Sequence, residues 1–187
     1  MNPKEFAVIG PKEDQYIDKP FETIIIVNND GSVYSEQKGG KRSVILDTNK
    51  LELAGKVALH NHPSNKNNSF SYEDVNLALN HGLREQRVVT RTLEGKKVIY
   101  RMIVPETVNL GFNVTFERGR ADKPVQRALI QAFQKRYKRI EKTVNTRMKR
   151  GISKGEISVD HANAWHYHEL WKEAFKGTNI KYERIEI

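Results

Sequence analysis

Lys56-Val57-Ala58-Leu59-His60-Asn61-His62-Pro63 is followed, after a polar loop, by Ser71-Tyr72-Glu73-Asp74. The apolar residues before His60 read as a short strand, and no strand continues through Pro63 in a sheet centre because proline has no N–H for the ladder. Ser71 has the position of a helix N-cap, with two acids in the first turn, apolar Val75, Leu77 and Leu79 behind it, and Gly82 as the stop after His81. Upstream, Thr23-Ile24-Ile25-Ile26-Val27 lies within an apolar run over residues 21–27. Asn28-Asn29-Asp30-Gly31 is a hairpin turn whose residues tolerate positive φ, and 32–35 is the return strand. Residues 43–46 read as a further short strand, separated from 56–60 by the polar stretch 47–50 and Leu51-Glu52-Leu53-Ala54. Downstream, 86–92 and 97–104 form a hairpin around Glu94-Gly95. The first twenty residues carry Pro3, Gly10, Pro11 and Pro20 and read as an irregular lead-in. Residues 1–115 are thus expected to form a mixed α/β domain.

The remainder has a different texture. Pro124 is a good first helical residue, and Val125, Leu129, Phe133, Tyr137, Ile140, Val144 and Met148 trace one stripe ending at Gly151. A second helix is expected from residue 158 or 160 to 176, and Ile180, Tyr182, Ile185 and Ile187 suit a terminal strand packing on the core. Residues 116–187 are therefore expected to form a basic helical extension. Thirteen basic residues lie in 118–154 against Asp122 and Glu141, a net +11 in a chain whose total is +9. Such a segment suits an acidic partner, nucleic acid or protein, although a solvated helix face is the ordinary reading. No run approaches the roughly 18 apolar residues of a membrane span, and the first residues lack the pattern of a signal peptide. A cytoplasmic protein is expected, export without a signal peptide being the alternative. With no cysteine, thiolate nucleophiles and Cys-ligated metals are excluded, so a metal would need His and carboxylate.

His60 and His62, two apart at a strand end, face the same side and offer two imidazoles to one ion. Asp74, in the first turn of the next helix, can supply a third ligand, leaving a fourth position for water as in hydrolytic zinc sites. Ser71, three residues before it, can reach the same space and hydrogen-bond an oxyanion. Each part has a plainer reading: Ser71 and Asp74 as a capping box, and the histidines as half-buried strand residues. Five fixed residues at these spacings arise by chance about once in 10⁵ such chains, so the combination outweighs its parts.

His60-x-His62-Pro63, seven residues, Ser71, two residues and Asp74 resembles the signature of the JAB/MPN/JAMM zinc metalloproteases, and His-Asn-His-Pro-Ser resembles their RadC-like branch. The resemblance covers roughly residues 20–104. It implies a cytidine-deaminase-like α/β fold, zinc on His60, His62 and Asp74, Ser71 stabilising the intermediate, and an upstream glutamate as general base. Glu22 sits where the family places that glutamate, with Glu36 on the return strand as the alternative. The helix that precedes it in the family has little room in residues 1–20. The implied activity is hydrolysis of peptide or isopeptide bonds, commonly at ubiquitin-like tails. The alternatives are an inactive JAMM-like module or a RadC-like DNA-associated protein, each binding an acidic partner through the basic helices. Other features are weaker. Gly151-Ile152-Ser153-Lys154-Gly155 matches GxSxG but lies between helices and reads as a linker. His161, His166 and His168 read as core or interface residues of the last helix.

Overall fold

The computed structural model describes all residues except 42, 48–50, 64–67 and 120–122. Parts of the expected 47–50 stretch and of the loop before Ser71, and Arg120 and Asp122 of the basic segment, lie outside the described residues. Residues 23–27 form a fully buried strand, β1 (Thr23–Val27), which turns at Gly31 into β2 (Val33–Lys38). Two further strands, β3 (Val57–Asn61) and β4 (Glu85–Arg91), are joined through α2 (Tyr72–His81). The sheet is completed by β5 (Lys97–Ile103) and, at the far end of the sequence, β8 (Lys181–Glu186). Its order is β2-β1-β3-β4-β5-β8, with β3 and β4 parallel and every other pair antiparallel. A mixed sheet flanked by helices is therefore the architecture. Beside it, β6 (Thr107–Val108) and β7 (Phe116–Glu117) form a small ladder of their own.

Alternation along the strands divides the core in two. Ile25, Val27, Val57, Leu59, Val89 and Ile99 bury against Ile9, Tyr16 and Ile17. Ile24, Ile26, Ala58, Val88, Val98, Tyr100 and Met102 face the other way, with Val75 and Leu79 of α2 and with two long helices. These are α3 (Lys123–Ser153) and α4 (Val159–Ala174), which contribute Phe133, Tyr137, Val144, Leu170 and Trp171 to the same cluster. Each large apolar side chain so buried contributes about 1.5–3 kcal/mol of transfer free energy.

Two expectations are corrected. The supposed irregular lead-in is a 14-residue helix, α1 (Pro3–Tyr16), so a helix does precede Glu22. Its start is a capping box between Asn2 and Glu5, with Pro3 at the first helical position where its missing N–H costs nothing. Pro11 lies inside the helix, at an exposed position. The burial of Ile9 and Tyr16 on either side of it outweighs the roughly 3 kcal/mol that an interior proline costs. Residues 43–46 form no strand. The chain turns back at Gly39-Gly40, where Gly40 N donates to Ser43 O at 2.9 Å, and Val44 and Leu46 pack against the larger core instead. A side chain at Gly39 would meet Ser43 O and Val44 at 2.3–2.8 Å, so that turn requires glycine.

Under α1 runs a chain of buried charges. Arg87 (5% exposed) lies 2.6 Å from Glu13 and 3.0 Å from Glu85, and Arg101 reaches Glu85 at 2.9 Å. Without Arg87, Glu13 would keep only Lys97 at 3.6 Å and Glu85 the Met1 amino group and Arg101, so each loses a close cation in a low-dielectric space. Arg87→Met is expected to lower unfolding free energy by about 3–5 kcal/mol, measured by urea denaturation; a loss below 1 kcal/mol would show that Glu13 and Glu85 find solvent or other partners.

Candidate metal centre

His60 is 1% exposed and stands in β3 between Ile24 of β1 and Val88 of β4. His62 lies just past the strand end, where its backbone N–H still donates to Val89 O and its carbonyl accepts from Thr90 Oγ1. Spaced by two, the rings share a side, and their Nε2 atoms are 3.3 Å apart. His62 Nδ1 lies 2.8 Å from the Asn68 carbonyl, which can only accept. The ring proton is therefore on Nδ1, and the Nε2 lone pair faces the space shared with His60. His60 Nδ1 is buried without a hydrogen-bond partner, so that ring is oriented by packing and by its Nε2 contacts.

The two carboxylates come from either side. Asp74 Oδ1 is 3.3 Å from His60 Nε2, and Oδ2 is 3.8 Å from His62 Nε2. Ser71 and Asp74 form a reciprocal capping box: Asp74 N donates to Ser71 Oγ at 3.1 Å, and Ser71 N donates to Asp74 Oδ2 at 2.7 Å. The plainer reading of this pair is thus realised, and the same cap holds the Asp74 carboxylate against the histidines. Glu22, 7% exposed, enters from the approach to β1, with Oε1 4.0 Å from His60 Nε2. Glu22, His60 and His62 offer ligand atoms all within 4.8 Å of one another, the one such cluster among the described residues. Neutral imidazole and carboxylate are a donor set fit for a divalent cation.

Burial alone would pull His60 down, but the charges of Asp74 and Glu22 outweigh it, and its pKa is raised. Burial opposes ionisation of Asp74 too. Its hydrogen bond and charge contact with His60 win, holding its carboxyl far below the usual range. The site therefore keeps its carboxylate ionised and draws positive charge toward Nε2.

These groups open onto a cavity of about 370 Å³, whose lining also includes Ser71, Val44, Leu46, Leu77 and Tyr167. Glu36 is elsewhere: it faces α1, taking hydrogen bonds from Lys12 and Tyr16. His161 stacks on Trp165, and His168 is bonded to Tyr182. The chain matches no model of a protein family, no curated protein and no solved structure among those with which it was compared.

Several positioning groups carry no short sequence signal. Asn61 points away from the imidazoles, accepts from Thr23 N at 2.7 Å and donates to Phe21 O at 3.1 Å, gripping the backbone on both sides of Glu22. Residues 68–71, which orient His62 and cap α2, are fastened from the other end of the chain. Trp171 Nε1 donates to Phe70 O at 2.6 Å, and buried Ser69 shares a 2.7 Å bond with Tyr182 Oη, itself 2.9 Å from His168 Nδ1. Burial pushes His168 down to about 4, from an ordinary 6.5. Between those values the unfolded chain binds the proton and the folded one does not, so His168 favours folding above pH 6.5 and loses that contribution as pH falls toward 4. The stability difference between wild type and His168→Gln should shrink by up to about 3 kcal/mol over that window, read from urea titrations at stepped pH; a constant difference would mean that His168 is charged in the folded state.

Proposed function

We propose that the chain is a zinc-dependent metallopeptidase or isopeptidase of the JAMM type, with a JAB/MPN-like α/β domain of the RadC-like branch. One observation carries the reading. His60 Nε2 lies 3.3 Å from both His62 Nε2 and Asp74 Oδ1. Two imidazole nitrogens and a carboxylate oxygen gathered this closely form a donor set that would hold one zinc ion. Glu22, at 4.0 Å, stands farther out. Glu22 is also within reach of an ion beside the histidines; its place in the motif's resemblance assigns it to the water rather than to the metal.

In this reading His60, His62 and Asp74 hold the metal. Bound there, zinc supplies a water of lowered pKa and polarises the substrate carbonyl. Glu22, nine-tenths buried and clamped by Asn61, takes the water's proton as the C–O bond forms and passes it to the amine as the C–N bond breaks. The Ser71 oxygen is occupied by the cap, so its hydroxyl proton is left to donate to the developing oxyanion. Val44, Leu46 and Tyr167, which also line the cavity, limit the water around the reacting bond. The substrate class is protein or peptide, ubiquitin-like tails included.

Elemental analysis should find about one zinc per chain, lost in His62→Ala. Glu22→Gln should keep the zinc and lower cleavage of a peptide library at least about 10²-fold. A folded wild type that takes up no supplied zinc would overturn the metal assignment. Undiminished cleavage by zinc-loaded Glu22→Gln would overturn the choice of base.

A further inference from the structure

The outer face of α3 carries charge that nothing else in the described chain answers. Lys135, Lys138, Arg139, Lys142, Lys149 and Arg150 are all exposed. At 100° per residue they fall within a sector about 120° wide and about 22 Å long. Phe133, Tyr137 and Val144 occupy the opposite side and are buried. No acid lies in the sector; Glu141 sits on its flank, partly buried. Neighbouring acids are engaged elsewhere: Glu169 with Arg147 and Lys172, Glu173 with Lys176, and Glu156 with Lys154. Among the described residues none of the six cations has an ion pair. Pairs at three and four residues, such as Lys135/Arg139 and Lys138/Lys142, therefore repel each other with no internal compensation.

The chemistry of the face selects among acidic partners. A protein interface is anchored by desolvated aromatic or aliphatic side chains, and the one large apolar residue exposed on α3 is Val125, near its N-terminal end. Phosphates require only charge and donors. Single strands are held by exposed aromatic platforms, whereas both aromatic residues of α3 are buried. A straight stripe of cations without a stacking surface suits the rigid backbone of a duplex. We infer that the outer face of α3 is a sequence-independent binding surface for duplex nucleic acid, engaging phosphates through these six side chains. This surface stands apart from the metal-site reading and does not depend on it.

Binding of the 187-residue chain to a fluorescently labelled DNA duplex, followed by anisotropy from about 50 to 200 mM salt, tests it. Six phosphate contacts give a slope of log K on log salt of about −5 and a loss of about 10³-fold over that range. Lys138→Gln/Lys142→Gln should make the slope shallower by about 2. The matched pair Lys4→Gln/Lys181→Gln, which removes the same charge from other exposed positions, should leave the slope unchanged. Absence of binding at 50 mM salt, or an equal effect of the matched pair, would overturn the proposal. Tighter binding of the corresponding single strand would also overturn it. Equal binding of polyglutamate would reassign the face to an acidic protein.

Discussion

Successive side chains of β3 leave the sheet on opposite sides, and the rest of the centre follows from that alternation. His60 goes with Ala58 toward α2, so an imidazole is buried where the next helix begins. Asn61 goes the other way and holds the backbone on both sides of Glu22. One strand end thus sets an imidazole and, through its neighbour, the carboxylate that faces it. A shift of one residue in the pairing of β1 with β3 would exchange the two faces and disperse the cluster.

The second support is remote. Residues 68–71 have no regular secondary structure, yet they orient His62 and begin α2. Their order is imposed by Trp171 and Tyr182, from elements that belong to the other half of the sequence. Indole to carbonyl and phenol to serine are buried polar contacts, strong where water is excluded. α4 and the final strand therefore brace the loop that borders the cavity, and α4 also lines it with Tyr167.

Much of this was legible in the sequence, and for identifiable reasons. A strand ended by Pro63 and a helix opened by Ser71 are local signals. With both placed, the spacing alone brings His60, His62 and Asp74 near one another. α1 was hidden because Pro11 and Gly10 are local breakers, while the burial of Ile9 and Tyr16 that overrides them is a tertiary effect. Residues 43–46 looked like a strand by composition, but their direction is set by the Gly39-Gly40 turn. The bonds of Ser69 and Phe70 to Tyr182 and Trp171 span over 100 positions, a separation at which periodicity and motif spacing say nothing. Glu36, the alternative to Glu22 in the sequence, is set apart from the histidines by a pairing that places it beside Lys12 and Tyr16.

The Ser69–Tyr182 bond also orders events in time. Translation delivers His60, His62 and Asp74 well before Tyr182, and at 5–20 residues per second the interval is roughly 5–20 s. During it, the loop that orients His62 has no phenol or indole to hold it. The wall around His62 therefore sets about a hundred residues after the motif it surrounds, and the strand and helix that carry the imidazoles and Asp74 have to fold before the contacts that fix their loop exist.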